Sequence, residues 1–231
     1  MVSSMMDISV VCLDYYMTLV ELEAPFQQIA KWMKKYLKDA YPEVDVQRFN
    51  SRFTRARAKL GTGERFFLGI ELLSESLAMV CKDFGLPCFS KEFEPFAKAL
   101  FSTPKAYTDA HQLLEVLRGK YRVGLLTNAD NHIIRTSIEL QGFQFDFVIT
   151  SEDAKANKPS PNMFQYALDK LERRKEEILM IGDSQIDDIY GAGRMGINTV
   201  WVNRNRESLK EGIVPPVFEV DKLSDIPKKL F

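Results

Sequence analysis

The chain has 231 residues, of which 45% are hydrophobic and 27% charged, and its formal net charge is -1. That size allows one large domain or a domain carrying a smaller insert, and the balanced charge gives no reason to expect nucleic acid or an anionic membrane as a partner. No apolar run reaches membrane-spanning length, and Met1 to Asp7 show neither a basic region nor a long apolar core, so a soluble, non-exported, cytoplasmic protein is expected.

The apolar, β-branched run from Ile8 to Leu13 predicts a buried strand that ends on Asp14, with Thr18 four residues on. Val20 to Ala24 is too short for a domain linker and suits a flap. Four helical patterns then follow with almost no strand signal. They cover about 24–37, with Pro25 near the start, about 44–60, ending near Gly61-Thr62-Gly63, about 64–84, closed by Gly85 and Pro87, and about 91–101, before Pro104. Trp32, Met33, Phe66, Phe67 and Leu68 in this segment read as the insert's own core before they read as a substrate pocket.

Beyond Ala110 the pattern alternates. Helices are expected over 111–120, 131–140, 161–171, 185–195 and 223–230, and strands over 122–127, 145–150, 178–181, 198–202 and 217–220. Strands alternating with helices predict right-handed βαβ units and a doubly wound parallel sheet. The expected fold class is therefore α/β, with a core of residues 1–22 and 104–231 and an α-helical insert of residues 23–103. The cysteines at 12, 81 and 88 do not make a disulfide framework, and with His111 and His132 far away in sequence no zinc site is expected.

In a parallel sheet the carboxyl ends of the strands gather on one rim, where ligands bind. That rim should hold Asp14, then Thr127-Asn128, then the loop with Lys155 and Lys158, then Gly182-Asp183-Ser184 with Asp187 and Asp188. Each residue has a plain structural use, as a helix cap, a strand-end hydroxyl or a solvated loop charge. Together they place two or three acids, a lysine and a hydroxyl at four strand ends. Asp14 and Asp183 would repel unless a cation lay between them. Mg²⁺ suits a few carboxylates, water and a phosphate, and a lysine and threonine facing them would hold phosphoryl oxygens. That outlines a phosphoryl-transfer site.

These pieces resemble the haloacid dehalogenase-like hydrolase superfamily over essentially the full length. The match is carried by Asp14-x-Tyr16-x-Thr18-Leu19, Leu125-Leu126-Thr127-Asn128, Lys158-Pro159, and Ile181-Gly182-Asp183-Ser184…Asp188 followed by Gly191-Ala192…Met195-Gly196. The resemblance implies a Rossmann-like core with an α-helical cap domain. It implies Asp14 as nucleophile, Thr127 and Lys158 holding the transferring group with Asn128 on the substrate side, and Mg²⁺ held by Asp14, Asp183, the backbone carbonyl of Tyr16, and Asp188 directly or through water.

One departure bears on the reaction. Phosphatases of the family carry a second aspartate two residues after the nucleophile, as general acid and base, and this chain has Tyr16 there. A tyrosine at that position is similar to the 2-haloacid dehalogenases, although Met17 stands where they have glycine. Their metal-free fourth motif differs from this one: Asp183 is retained, Gln185 stands at their asparagine, and Phe164 stands at the tyrosine that follows their lysine. Arg52, Arg55 and Arg57 are the candidates for their halide-binding arginine. The expected function is a Mg²⁺-dependent phosphatase of a small phosphorylated metabolite, with Tyr16 or a cap residue in the acid's role. The alternatives are a metal-independent 2-haloacid dehalogenase and a weakly catalytic protein that binds a phospho-ligand. The partners expected are a small-molecule substrate and no macromolecule beyond a second copy, the chain being a monomer or homodimer.

Overall fold

The computed structural model of the chain describes residues 7–63 and 65–230. The expected domain ends at residues 1 and 231, the reading of Met1–Met6, and the start expected for the third helix at Glu64 lie outside the described residues. The chain forms two units: one takes in the chain up to Glu21, Lys105–Asn131 and the chain from Ile138 onward, and the other Leu22–Pro104 with His132–Ser137.

In the first unit, β1 (Val10–Leu13) is followed by the short β2 (Val20–Glu21). In the second, α1 (Pro25–Ala40), α2 (Val46–Gly61), α3 (Gly69–Asp83) and α4 (Ser90–Ser102) form a helical body. Its core is Ile29, Met33 and Leu37 from α1, Phe49 and Phe53 from α2, Leu73, Leu77, Val80 and Cys81 from α3, and Phe89, Phe93 and Ala97 around α4. Met33 is fully buried there and Trp32 packs against the cluster, stacked on Tyr36 and Phe96. The apolar positions repeat every three to four residues, so each helix presents one stripe inward. Asp45 caps α2 by accepting from the Arg48 N–H at 3.0 Å. The segment 65–68 expected to be helical is not; α3 begins at Gly69, where the Glu71 carboxylate accepts the Leu68 N–H.

The chain returns through β3 (Lys105–Ala106), which pairs antiparallel with β2. The flap expected at 20–24 is thus half of a two-stranded ribbon. Then come α5 (Ala110–Leu117), β4 (Arg122–Thr127), α6 (Asn131–Gln141), β5 (Phe147–Thr150), the short α7 (Ser151–Ala154), α8 (Pro161–Leu171) and β6 (Ile178–Gly182). A π-helical turn at Gln185–Tyr190 leads into the short α9 (Gly191–Gly193), followed by β7 (Asn198–Val202), β8 (Phe218–Val220) and α10 (Ile226–Leu230). The single helix expected over 185–195 is therefore a widened turn and a short stub.

Six strands make one sheet in the order β5-β4-β1-β6-β7-β8, every neighbouring pair parallel. This is the doubly wound, Rossmann-like α/β arrangement, in which the winding starts at the centre and reverses direction between β1 and β6. Strand β1 is buried along its whole length, as a central strand covered on both faces must be. One face is packed by Cys12, Leu126, Ile149, Met163, Phe164, Leu171, Met180 and Ile197. Among the described residues no helix is long and apolar enough to cross a membrane.

Gly124 sits opposite Phe147 in the β4–β5 ladder, and a Cβ at 124 would overlap both the Phe147 carbonyl and its ring. Gly124→Ala should destabilise the protein by about 1–3 kcal/mol, the usual cost of overpacking a close-packed interior. An unchanged urea midpoint would contradict this reading of the sheet.

Candidate functional site

The winding reversal between β1 and β6 opens a crevice at the carboxyl end of the sheet, and the chemistry-bearing residues lie along it. Asp14 follows the last residue of β1, its N–H still donating to the Ile181 carbonyl at 2.9 Å. Asp183 follows the last residue of β6. Thr127 is the last residue of β4, one strand to the other side of β1. A cavity of about 180 Å³ at these ends is lined by Asp14, Tyr16, Thr127, Asn128, Lys158, Asp183, Ser184, Asp187 and Asp188. The residues expected from sequence to carry the chemistry are all among them. Lys155, exposed at the end of α7 with φ 49°, is not.

Lys158 is the cation of the cluster. Its Nζ donates to Asp14 Oδ1 and to Asp188 Oδ1, each at 2.6 Å, and it is almost wholly buried. Burial alone would push its pKa down, but the two carboxylates outweigh that and hold it above the ordinary lysine value. The backbone of Lys158 is fixed by Asn128, whose Oδ1 accepts the Lys158 N–H at 2.7 Å and whose Nδ2 donates to the Lys158 carbonyl at 3.0 Å. Asn128 thus positions Lys158 as well as lining the cavity.

The acids are crowded. One carboxylate oxygen from each of Asp14, Asp183 and Asp188 lies within 4.8 Å of the others. Burial, then the charge of Asp14, pushes the Asp183 pKa up to about 7. Burial in the face of Lys158's attraction pushes Asp188 up to about 8, and Asp187 is raised too, chiefly by burial. One ammonium group cannot neutralise so many buried carboxylates, so some keep their protons.

The local backbone explains how the acids come together. Ser184 O accepts from both the Asp188 and Ile189 N–H groups at 3.1 Å, the second bond defining the π turn. The wider turn carries Asp188 back over the end of β6, where its Oδ2 accepts the Ser184 N–H at 3.0 Å. A Cβ on Gly182 would overlap the Asp188 carboxylate, so the residue before Asp183 has to be glycine. Sequence periodicity cannot reveal this, because Ile186 and Ile189 read equally well as an α-helical stripe.

Three supports of the cluster lie beyond the sequence expectations. Thr18 Oγ1 donates to Asp183 Oδ1 at 2.9 Å, accepts the Asp183 N–H at 3.1 Å, and lies 3.4 Å from Asp14 Oδ2. Arg204, in the loop after β7, donates to the Thr18 carbonyl at 3.1 Å, pairs with Asp109 at 3.6 Å, and lies over the Tyr107 ring at 3.7 Å. Trp201 Nε1 donates to the Asp183 carbonyl at 2.9 Å. Thr18 stands in the first motif, but nothing in the sequence pairs Arg204 with it. Met17 has φ 63°, a left-handed position that costs a non-glycine residue about 1 kcal/mol or more. The turn holds it there through the Met17 N–H, which donates to Val20 O at 2.6 Å.

Two further features concern ligands. The Thr127 hydroxyl is buried with no hydrogen-bond partner within the protein, which is rare for a buried polar group without a ligand or water to meet it. The Tyr16 hydroxyl is held well above its ordinary pKa, first by burial and then by Tyr15, Asp130 and Asp14. It remains a donor and cannot serve as a base near neutral pH. Of the other positions compared with the dehalogenases, Phe164 is buried in the sheet core. Gln185 is bound into the 207–210 loop, accepting from the Lys210 N–H at 2.8 Å and donating to Ser208 O at 3.1 Å. In the helical unit, Arg52 pairs with Asp83, Arg55 donates to Ser51 O, and Arg57 lies over Phe26.

A family model described as haloacid dehalogenase-like hydrolase matches residues 71–202. Pyrimidine 5'-nucleotidase YjjG of Escherichia coli is 29% identical over 140 residues, which span 59% of this chain and 62% of that protein. (S)-2-haloacid dehalogenase 1 of Pseudomonas sp. (strain CBS-3) is 28% identical over 163 residues, 69% of this chain and 71% of that one. The crystal structure of a HAD phosphatase from Thermococcus onnurineus superposes with a TM-score of 0.70 at 25% identity, covering 96% of this chain and 97% of the other. The chain thus spans less than two thirds of the nucleotidase, and these relatives divide between phosphatases and dehalogenases.

The crowded acids make stability depend on pH. Asp183 and Asp188 hold protons up to about 7 and about 8 in the folded chain, against about 4 in the unfolded one. Between these values the folded state binds more protons, so raising the pH favours unfolding. Lys158 adds no slope there, because its contribution is lost only above its unfolded value of about 10. In metal-free buffer the urea midpoint should fall from pH 5 to pH 8, and fall less in Asp183→Asn. Parallel profiles for the two proteins would contradict the charge assignment.

Proposed function

We propose, from the premise that this chain belongs to the haloacid dehalogenase-like hydrolases, that it is a Mg²⁺-dependent phosphatase of a small phosphorylated metabolite working through an aspartyl-phosphate on Asp14. The observation that carries this reading is the cluster of Asp14, Asp183 and Asp188 around a single lysine. Hard carboxylate oxygens at this spacing fit a divalent cation, and the unpartnered Thr127 hydroxyl fits a phosphoryl oxygen. Asp14, Asp183 and the carbonyl of Tyr16 would hold Mg²⁺, with Asp188 binding directly or through water. When bound, the cation supplies positive charge to the phosphoryl oxygens and lets the acids ionise together.

The chain's own groups then have distinct tasks. An Asp14 carboxylate oxygen attacks phosphorus as the bond to the leaving oxygen breaks. Lys158 and Thr127 hold the non-bridging oxygens of the transferring group, with Asn128 keeping Lys158 in place. Thr18 holds Asp183 beside Asp14. Water then cleaves the aspartyl-phosphate, returning Asp14 and inorganic phosphate. The cavity of about 180 Å³ suits a phosphoryl group, with the rest of the substrate extending beyond it.

Tyr16 sets the limits of this chemistry. A phenol held above its ordinary pKa is a weak acid for protonating an alkoxide and no base for activating water. The reading therefore favours leaving groups that depart without a proton, such as aryl and acyl phosphates, over simple alkyl esters. A metal-independent 2-haloacid dehalogenase is the second reading, favoured by Tyr16 itself. The retained Asp183 and the engagement of Phe164 and Gln185 elsewhere support the phosphatase.

With Mg²⁺, aryl phosphate should be hydrolysed at least about 100-fold faster in kcat/KM than an alkyl phosphate, the usual worth of a missing general acid. Tyr16→Asp should narrow that gap by raising the alkyl rate, and Asp14→Asn should abolish both activities. Halide release from 2-chloropropionate in EDTA, with no phosphate release in Mg²⁺, would replace this reading with the dehalogenase.

A further inference from the structure

Arg204 has no task in the proposed reaction, yet its side chain is largely buried in the loop after β7. Its guanidinium reaches two segments far from it in sequence, both within the sheet unit. One nitrogen, Nη2, donates to the Thr18 carbonyl at 3.1 Å and lies 3.6 Å from Asp109 Oδ1, and the central carbon stands 3.7 Å from the centre of the Tyr107 ring. Asp109 is itself anchored, accepting the Leu223 N–H at 2.8 Å, and the Tyr107 N–H donates to the Leu19 carbonyl at 3.0 Å. The guanidinium therefore sits in a frame made by the loop after β1, the segment after β3 and the turn before α10. Its Nε is buried with no hydrogen-bond partner. Buried donors are rarely left unmet, so this pose is set by the frame and the Thr18 carbonyl, not by the arginine's own hydrogen bonding.

Thr18 is where this frame meets the acids. Its side chain is fully buried. The single hydroxyl accepts the Asp183 N–H at 3.1 Å and donates to Asp183 Oδ1 at 2.9 Å, and it can do both only if the backbone presents it at one angle. The loop's own bonds do not fix that angle. The Leu19 and Val20 N–H groups both donate to the Tyr15 carbonyl, at 2.9 and 3.1 Å. Among the described residues no backbone N–H reaches the Thr18 carbonyl, which is left to Arg204.

We propose that Arg204 is a positioning residue, which fixes the Thr18 carbonyl and so aims the hydroxyl that holds Asp183 beside Asp14. Its consequence for a divalent cation rests on the proposed function; its effect on Asp183 does not. Arg204 bonds neither Asp14 nor Asp183, so it acts through Thr18 and not as a counter-charge to the acids. The residue type fits this task. A planar guanidinium lies on an aromatic ring while donating from its edge, whereas lysine keeps the charge but loses both the fork and the stacking. Partners that orient metal ligands from behind are worth about 10- to 100-fold in metal affinity.

The test compares the wild type with Arg204→Lys, Thr18→Val and the double variant. Two quantities are measured: Mg²⁺ affinity by titration calorimetry, and the hydrogen-exchange rate of the Asp183 N–H by NMR in metal-free protein. Arg204→Lys should weaken Mg²⁺ binding by about 10- to 100-fold and speed exchange at Asp183. It should leave the Asp14 N–H, which donates to the Ile181 carbonyl, at its wild-type rate. Thr18→Val should shift both quantities at least as far, and the double variant should be no worse than Thr18→Val, because the two residues act along one path. If Arg204→Lys fails to fold, Asp109→Asn serves in its place, with a smaller shift in the same direction. Wild-type exchange at Asp183 in these variants, equal acceleration at Asp14 and Asp183, or additive losses in the double variant would each overturn the role of Arg204. A wild type that binds no Mg²⁺ would instead remove the phosphatase reading, and the exchange rates would still decide the role of Arg204.

Discussion

A single ammonium group, Lys158 Nζ, is shared at 2.6 Å by two buried carboxylates that come from opposite ends of the chain. A charge so far from water is tolerated only with partners in good geometry, and removing one partner leaves the others uncompensated. The parts of the site are accordingly arranged to keep this lysine in place. The amide of Asn128 clamps its backbone on both sides, β1 delivers Asp14, and the π turn after β6 bends Asp188 back to meet it. The arrangement still leaves more acid than base. That surplus of acid, more than any single residue, is what the cation of the proposed function would offset.

Sheet topology decides where this happens. Strands β1 and β6 are neighbours in the sheet although they lie far apart in the sequence, Val10 pairing with Ile178, and the winding reverses between them. A crevice at that reversal follows from the path of the chain, and Asp14 and Asp183 are the first residues beyond the two strands that flank it. Thr18 then contacts both aspartates, Trp201 holds the Asp183 carbonyl, and Arg204 holds the Thr18 backbone. The antiparallel pairing of β2 with β3 lies where the chain leaves the sheet unit and where it returns, so Thr18 and Tyr107, both held by Arg204, belong to those two crossings.

The sheet is legible in the sequence because buried parallel strands are short β-branched runs bounded by turn residues. Runs such as Arg122–Thr127 and Ile178–Gly182 fall within a residue or two of their expected places. The rim residues are legible because a strand end plus a polar residue is a local signal. Features that depend on contacts distant in sequence are not. The π turn arises from Asp188 reaching the end of β6 and Lys158, which no helical periodicity records. Arg204 contacts Thr18 across 186 positions. Residues 65–68 carry an apolar pattern, Phe66-Phe67-Leu68, that reads as helix but stands before the start of α3.

Tyr16 separates the fold from the reaction. Under the proposed function, the residues that hold Asp14, Lys158 and Asp183 would serve phosphoryl transfer, while the residue beside them lacks the proton chemistry that usually accompanies it. The central claim is that the acids are gathered for a divalent cation, and titration calorimetry with Mg²⁺ on the metal-free protein tests it most directly. One saturable site is expected in the wild type, tighter at pH 8 than at pH 6 because the carboxylates must shed protons to bind, and its loss is expected in Asp183→Asn. No heat of binding at either pH, or binding that survives in Asp183→Asn, would contradict it.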